Sequence, residues 1–375
     1  MNSNRRKKII DHWDSLHIPD TIDAMQSNSV AKQSPTRFIF VSLYDEDYSR
    51  SAVILHSKRY QHLFSYFKVD RRFRDLLKIR KYCSEMRDES FAFVVMSPSS
   101  ILVLYLKFLC RKPIVLDCGW PMRDGFDSRV QNRFKKFARS KIYLIDFISF
   151  LFADLIAVES SVQKIQVHKD YLVPLDKIFV SPTGFDEGRY STSEGKVLEH
   201  KNYVLFRGQI NEEAGIRNLV EAFSRYLKDQ KLLIVTGGKK LEFEIPKNVI
   251  VHSGRFSEVE LASYYGNAIL SLGQITNHPR LEKTIPHKAF EAAYFGIPYI
   301  SMRTNAMLEF FPEDSGGVRY LSDSSPANLA EAIKKIIESN STRSQLSEEI
   351  TLNYRRFLNQ ERIAGKFLET VNSLI

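Results

Sequence analysis

The feature that most limits the fold of this chain is a repeated alternation of short apolar runs with segments of helical spacing. The runs read RFIFVSL, FAFVVM, PIVLD, LIAVES and KIFVSP in the first half, then YVLFR, KLLIVTG, NVIVHSG, ILSLG and PYISM in the second. Strands and helices in regular alternation predict parallel α/β sheets. With 375 residues the chain is long enough for two such domains, each with its own core. The polar stretch Asp186 to Asn202, DEGRYSTSEGKVLEHKN, has no apolar periodicity and is the expected break. The expected division is a loosely held leader over 1–35, a first Rossmann-like domain over 36–190, a second over 191–355, and a final helical segment over 356–375 that packs back on the first. Doubly wound sheets bind ligands at the carboxyl ends of their strands, so the expected site is a cleft between the two domains.

The stretch Thr284 to Met302, TIPHKAFEAAYFGIPYISM, carries the most chemistry. A helix starting near Pro286 points its free N–H groups at the cleft above the preceding strand ILSLG, an arrangement suited to a diphosphate. Lys288 and Glu291 lie three residues apart and share a face. Gly296-Ile297-Pro298 then ends the helix and releases the chain into Tyr299-Ile300-Ser301. A solvated surface pair of a few tenths of a kcal/mol is the plain alternative for Lys288 and Glu291. The segment resembles the nucleotide-sugar glycosyltransferases of the GT-B fold, of the group 1 or family 4 type, whose helix reads roughly P-x-K-x-x-E-x-x-A-x-G-x-P-x-I.

A second segment extends the resemblance. Tyr203 to Phe223, YVLFRGQINEEAGIRNLVEAF, reads as a strand, a glycine turn and a helix with apolar residues at Ile216, Leu219, Val220 and Phe223. It is similar to the first strand, loop and helix of the family's nucleotide-binding half, where an Arg and a Lys grip the diphosphate. Gln209 and Ala214 stand at those two positions here, and Lys283 stands where the family's first glutamate would be, beside Glu282. Arg207, Arg217, Lys239, Lys240 and Lys283 are the candidates to supply the missing charge. The resemblance covers roughly residues 36 to 355 and is strongest in the second half.

The resemblance implies transfer of a sugar from a nucleotide diphosphate donor, a UDP- or GDP-sugar, to a hydroxyl of a glycan or lipid-linked glycan. It implies retention of configuration, in the synthesis of cell-surface polysaccharide or lipopolysaccharide. Lys288 and helix N–H groups would stabilise the departing diphosphate, and Glu291 would hold the ribose. Arg207, Gly208, Gln209 and Gly238 would approach the phosphates, with Lys283, Thr284 and His287 lining the donor site. Two alternatives keep the fold: a non-catalytic scaffold or binding subunit, favoured by Gln209 and Ala214, and an epimerase or phosphorylase.

Asp117 closes the run PIVLD and sits where a doubly wound sheet delivers side chains to the cleft. It is a candidate to orient the acceptor hydroxyl or to act as base. Asp45-Glu46-Asp47 has a D-x-D form that can hold a divalent metal, but a polar loop is the preferred reading, and no metal is expected to be required. His252, His278 and His287 lack ligand spacing. Cys83, Cys110 and Cys118 show neither metal nor disulfide spacing, which fits a reducing cytoplasm.

The formal charge of +10 is concentrated in the first half. Arg129, Arg133, Lys135, Lys136, Arg139 and Lys141 run without an acid into IYLIDFISFLF, and Arg71, Arg72, Arg74, Lys78, Arg80 and Lys81 form a second basic stretch. A basic helix leading into an aromatic one suits an anionic membrane surface or the acceptor side of the cleft. A solvated face with a core-facing aromatic stripe is the alternative. No apolar run reaches the length of a membrane span, and MNSNRRKKIIDHW lacks the apolar core of a secretory signal. No nucleic-acid motif accompanies the charge. The expectation is a cytoplasmic protein, peripheral at the inner face of the membrane.

Overall fold

The computed structural model describes residues 37–46, 49–69, 73–86, 90–127, 135–190, 200–238 and 241–374. The expected leader, 1–35, lies outside the described residues, as do Asp47, Arg71, Arg72, Arg129, Arg133, Lys239 and Lys240.

Every apolar run named above forms a strand. The first half contributes β1 (Arg37–Ser42), β2 (Phe64–Lys68), β3 (Phe91–Met96), β4 (Ile114–Gly119), β5 (Leu155–Val158) and β6 (Ile178–Val180). The second contributes β7 (Tyr203–Arg207), β8 (Leu232–Thr236), β9 (Val249–Ser253), β10 (Ala268–Leu272), β11 (Tyr299–Met302) and β12 (Val318–Leu321). They form two six-stranded sheets, ordered β2-β1-β3-β4-β5-β6 and β12-β11-β10-β7-β8-β9, with all pairs parallel. Strands β2 and β12 were not anticipated. Both are edge strands, and Ser65, Lys68 and Arg319 are exposed on them, so neither reads as a continuous apolar run.

The helices of the first half are α1 (Ser49–Leu55), α2 (Phe73–Glu85), α3 (Ile101–Cys110), α4 (Met122–Asp127), α5 (Lys135–Phe152) and α6 (Ser161–Tyr171). Those of the second are α7 (Ile216–Arg225), α8 (Glu258–Asn267), α9 (His287–Tyr294), α10 (Asn305–Phe310), α11 (Pro326–Ile337), α12 (Asn340–Asn353) and α13 (Gln360–Asn372). Helix α7 shows why the pattern works: Ile216, Leu219, Val220 and Phe223 are all buried against Val204, Phe206 and Leu232 of the second sheet. Each such side chain contributes about 1.5–3 kcal/mol by leaving water. Each sheet thus has a core on both faces.

The chain end returns to the first sheet. Phe367, Leu368 and Val371 of α13 pack with Phe38, Phe40 and Val115. Glu361 accepts hydrogen bonds from the Ser57 hydroxyl (2.6 Å) and the Lys58 N–H (2.8 Å). Thr36–Ile375 therefore forms one compact unit carrying both sheets.

The reading of the cysteines needs correction. Cys83 and Cys110 form a disulfide, with Cα atoms 5.9 Å apart. Their separation of 27 residues hides the fact that α2 and α3 are neighbours. Cys118 is free and buried. The cysteines therefore lend no support to a reducing compartment.

Candidate functional site

In each sheet the chain starts at an inner strand, runs to one edge and crosses back, and ligand crevices open where the direction reverses. In the second sheet that point lies between β7 and β10. The carboxyl ends of these strands and the residues just after them, Arg207-Gly208 and Gly273-Gln274, meet the start of α9 there. Pro286 precedes α9, and no side chain caps it. Its first N–H groups and the positive end of its dipole therefore have no side-chain partner at the cap.

Lys288 is 6% exposed. Its ammonium donates to Gln274 Oε1 (3.2 Å) and stands 3.8 Å over the Phe206 ring. Burial, then the neighbouring Arg207 charge, lowers its pKa to about 7. Gly208 lets the backbone pass this close: its φ is +148°, and a Cβ there would sit 3.0 Å from Lys288 Nζ. The result is a buried cation at a glycine turn beside a helix start, a combination suited to a diphosphate.

Glu291 lies one turn further along and is fully buried. Arg207 Nη1 stands 3.1 Å from Oε1, His287 Nδ1 is 3.3 Å from the same oxygen, and Tyr265 donates to Oε2 (2.6 Å). Burial would raise this carboxyl, but Arg207, His287 and Tyr265 together hold it at about 2. Oε2 thus accepts from Tyr265, while Oε1 lies in charge contact with Arg207 and His287 and accepts no hydrogen bond.

A cavity of about 180 Å³ adjoins α9, lined among others by Thr284, His287, Gln274, Arg280, Trp120 and Glu159. Of the residues picked from the sequence, Lys288, Glu291, His287, Arg207 and Gly208 come together, and Thr284 lies beside them. Lys283 is instead within 3.7 Å of Asp124, on the first-half side. Gln209 folds over Gly237, with Nε2 3.0 Å from where a Cβ would be, and Gly238 has open space and φ +114°. Asp117 is buried and bonded by Arg50 Nε to Oδ1 (2.6 Å), outside the cavity lining.

Sequence reasoning missed Glu159, Trp120, Gln274, Arg280 and Glu213. Glu159 follows β5 and Asp117 lies near the end of β4, so the strand-end rule that singled out Asp117 applies to Glu159 as well. Arg280 pairs with Glu213 (2.9 Å) across a loop contact that no spacing announces.

The basic face is partly described. Arg133 lies outside the described residues, and the side chains of Lys135 and Lys136 are likewise undescribed. Arg139 pairs with Asp127 (3.0 Å). Asp146, Ser149 and Phe150 of α5 are buried, while Phe137, Leu144 and Leu151 are exposed at heptad spacing, near exposed Tyr105 and Phe108 of α3. Helix α5 thus shows both a core-facing stripe and an exposed apolar one. Among the described residues no helix is long and apolar enough to cross a membrane. Asp45 pairs with Lys68 (2.6 Å), and among the described residues no group of His, Cys, Asp and Glu is placed to hold a metal.

Two Rossmann-like parallel sheets, with a cationic crevice on the second, define the GT-B fold class. Residues 192–352 match the family described as Glycosyl transferases group 1. Solved structures resemble it over most of its length. Anabaena HepE in complex with UDP aligns with a TM-score of 0.65 at 13% identity, covering 90% of this chain and 100% of that one. Sucrose-phosphate synthase from Thermosynechococcus elongatus gives 0.64 at 13%, covering 90% and 99%. The UDP-GlcNAc 2-epimerase of Neisseria meningitidis, bound to UDP-GlcNAc, gives 0.51 at 10%, covering 90% and 100%. At these identities the likenesses establish the fold. Comparison with curated proteins finds no match. The family match over residues 192–352 supports sugar transfer in general.

Proposed function

We propose that this protein transfers a sugar from a nucleotide diphosphate donor to a hydroxyl of a glycan or lipid-linked glycan, with retention, in cell-surface polysaccharide or lipopolysaccharide synthesis. The observation that carries the reading is the Lys288 ammonium, buried beside Gly208 at the start of α9. In the proposed mechanism the diphosphate leaves with its developing charge on Lys288 and the α9 N–H groups, and the departing oxygen takes the acceptor's proton. No protein nucleophile is required. The UDP bound in the HepE structure favours a UDP-sugar as donor.

Residues 36–190 are assigned to the acceptor, 191–355 to the nucleotide-sugar, and 356–375 to the returning helix. Glu291 is assigned to the ribose end of the donor, holding Arg207 in place as it does so. The cationic work falls to Lys288 and Arg207, so a metal is not required. The exposed stripe Phe137, Leu144 and Leu151, with the basic residues around it, is assigned to an anionic membrane surface at the cytoplasmic face.

An epimerase keeps the same fold, as the Neisseria enzyme illustrates. One experiment separates the readings. Incubated with a nucleotide-sugar and no acceptor, a transferase releases free nucleotide slowly, an epimerase returns an isomeric nucleotide-sugar, and a scaffold changes nothing.

A further inference from the structure

One wall of the cavity is left unexplained by the diphosphate site. Glu159 follows β5 and is 1% exposed. Thr183 donates to its Oε1 at 2.5 Å, while Oε2 has no hydrogen-bond partner. A buried carboxylate oxygen without a donor is costly, so its persistence points to a partner supplied from outside the chain. Arg50 acts on both Asp117 and Glu159; its Nε donates to Asp117, while Nη1 and Nη2 are buried without a hydrogen-bond partner. Burial raises the Glu159 carboxyl against the opposing Arg50, Thr183, Arg280 and Ile285 N–H.

The rest of the wall is rigid. Arg280 donates to both oxygens of Glu213 (3.1 and 2.9 Å), and its guanidinium stacks 5.1 Å over the Trp120 ring. Ser160, next to Glu159, donates to the Lys283 carbonyl (2.6 Å), and Ser161 donates to Glu309 of α10 (2.7 Å), so this strand end is fastened to a loop and a helix of the second half. The cavity holds about 180 Å³. At roughly 30 Å³ per water that is the space of a single sugar ring rather than an oligosaccharide. An aromatic face and a fixed acceptor suit a neutral, hydroxyl-bearing ring.

We propose that Glu159 is a specificity-determining residue for the transferred sugar, its Oε2 accepting a hydrogen bond from a ring hydroxyl of the donor's sugar seated in this cavity. The inference rests on the donor reading above and adds a residue from the first sheet to it.

The test compares binding of a nucleoside diphosphate with that of its hexose ester, using whichever of the UDP and GDP pairs stabilises wild type more. Glu159→Ala is expected to weaken the hexose ester about tenfold or more while leaving the diphosphate alone within about twofold, since a hydrogen bond to a charged group is lost only when the sugar is present. Thr183→Val, which frees the Glu159 carboxyl without removing it, is expected to give a smaller loss of the same kind. Melting temperatures of both variants, measured alongside, report whether they fold. Equal weakening of diphosphate and ester would mark Glu159 as structural and overturn the proposal, as would unchanged binding of both in Glu159→Ala. If wild type binds the diphosphate but gains nothing from the hexose, the Glu159 role falls and the diphosphate site stands. If wild type binds neither, both fall.

Discussion

Raising the pH from 7 to 9 in the ligand-free protein removes the proton from Lys288, and affinity for a nucleotide-sugar is expected to fall with it. Burial, followed by the Arg207 charge, holds this ammonium at about 7, against 10.5 for an ordinary lysine. A diphosphate at the Gly208 turn would supply the opposite charge that the site lacks and draw the pKa back up. The sign follows from proton linkage. Below pH 7 Lys288 is charged in both free and bound protein, so affinity is flat. Above pH 7 binding must take up a proton, so the dissociation constant rises by up to about tenfold per pH unit until the bound-state pKa is reached. At pH 8 the loss is about 1.4 kcal/mol relative to the plateau, or about tenfold. Calorimetric titration with a nucleotide-sugar, in two buffers of different ionisation enthalpy, reads both the affinity and the proton uptake. A nucleotide-sugar is preferred because it has no terminal phosphate titrating in this range. Lys288→Met is expected to bind more weakly and to show no pH dependence. Affinity that stays flat from pH 6.5 to 9, with no proton taken up at pH 8, would refute the placement of the diphosphate on Lys288.

The same lysine acts oppositely on the empty fold: because the unfolded chain holds the proton above pH 7 and the native state does not, denaturant stability should rise between pH 7 and 10.5, and this rise should vanish in Lys288→Met. Glu291→Ala removes the buried partner of a partly exposed Arg207 and should lower stability in urea unfolding by about 1–3 kcal/mol, and Tyr265→Phe, losing one hydrogen bond to a charged group, by about 1.5–3 kcal/mol. Gly208→Ala puts a methyl 3.0 Å from Lys288 Nζ at a φ of +148°, so turnover should fall sharply with only a modest change in melting temperature. Binding to anionic vesicles should weaken with salt and with neutralisation of Arg133, Lys135, Lys136 and Arg139, and Phe137→Ser with Leu144→Ser should abolish it; co-sedimentation equal to wild type in both variants would show a merely solvated face. Donor turnover should survive a chelator, and loss restored by manganese or magnesium would give the metal a role.

Much of the fold was legible because buried parallel strands read as apolar runs and their covering helices as 3.6-residue stripes. Strands β2 and β12 escaped because an edge strand needs only one good face, and Lys68 and Arg319 break the pattern. In the site, Lys288 and His287 were legible because helix spacing fixes their neighbours. Glu291 was expected to hold the ribose; Tyr265, on a different helix, donates to its second oxygen, and no local spacing brings these two together. Lys283 and Asp117 illustrate the limit: each stands where a ligand contact was expected, and each is held by a partner distant in sequence, Asp124 and Arg50 respectively. The pairing of Cys83 with Cys110 was hidden for the same reason, since it depends on which helices become neighbours.

The central claim is that a nucleoside diphosphate binds at the junction of β7, β10 and α9, on Lys288. A thermal-denaturation titration with UDP and with GDP tests it most directly, comparing wild type with Lys288→Met. At a hundred times its dissociation constant the right nucleotide should stabilise wild type by about 2.7 kcal/mol, seen as a melting temperature that climbs with concentration. The account predicts that climb in wild type with at least one of the two nucleotides, and its near disappearance in the variant. A wild-type protein unmoved by millimolar UDP or GDP, or a variant stabilised just as strongly, would contradict it.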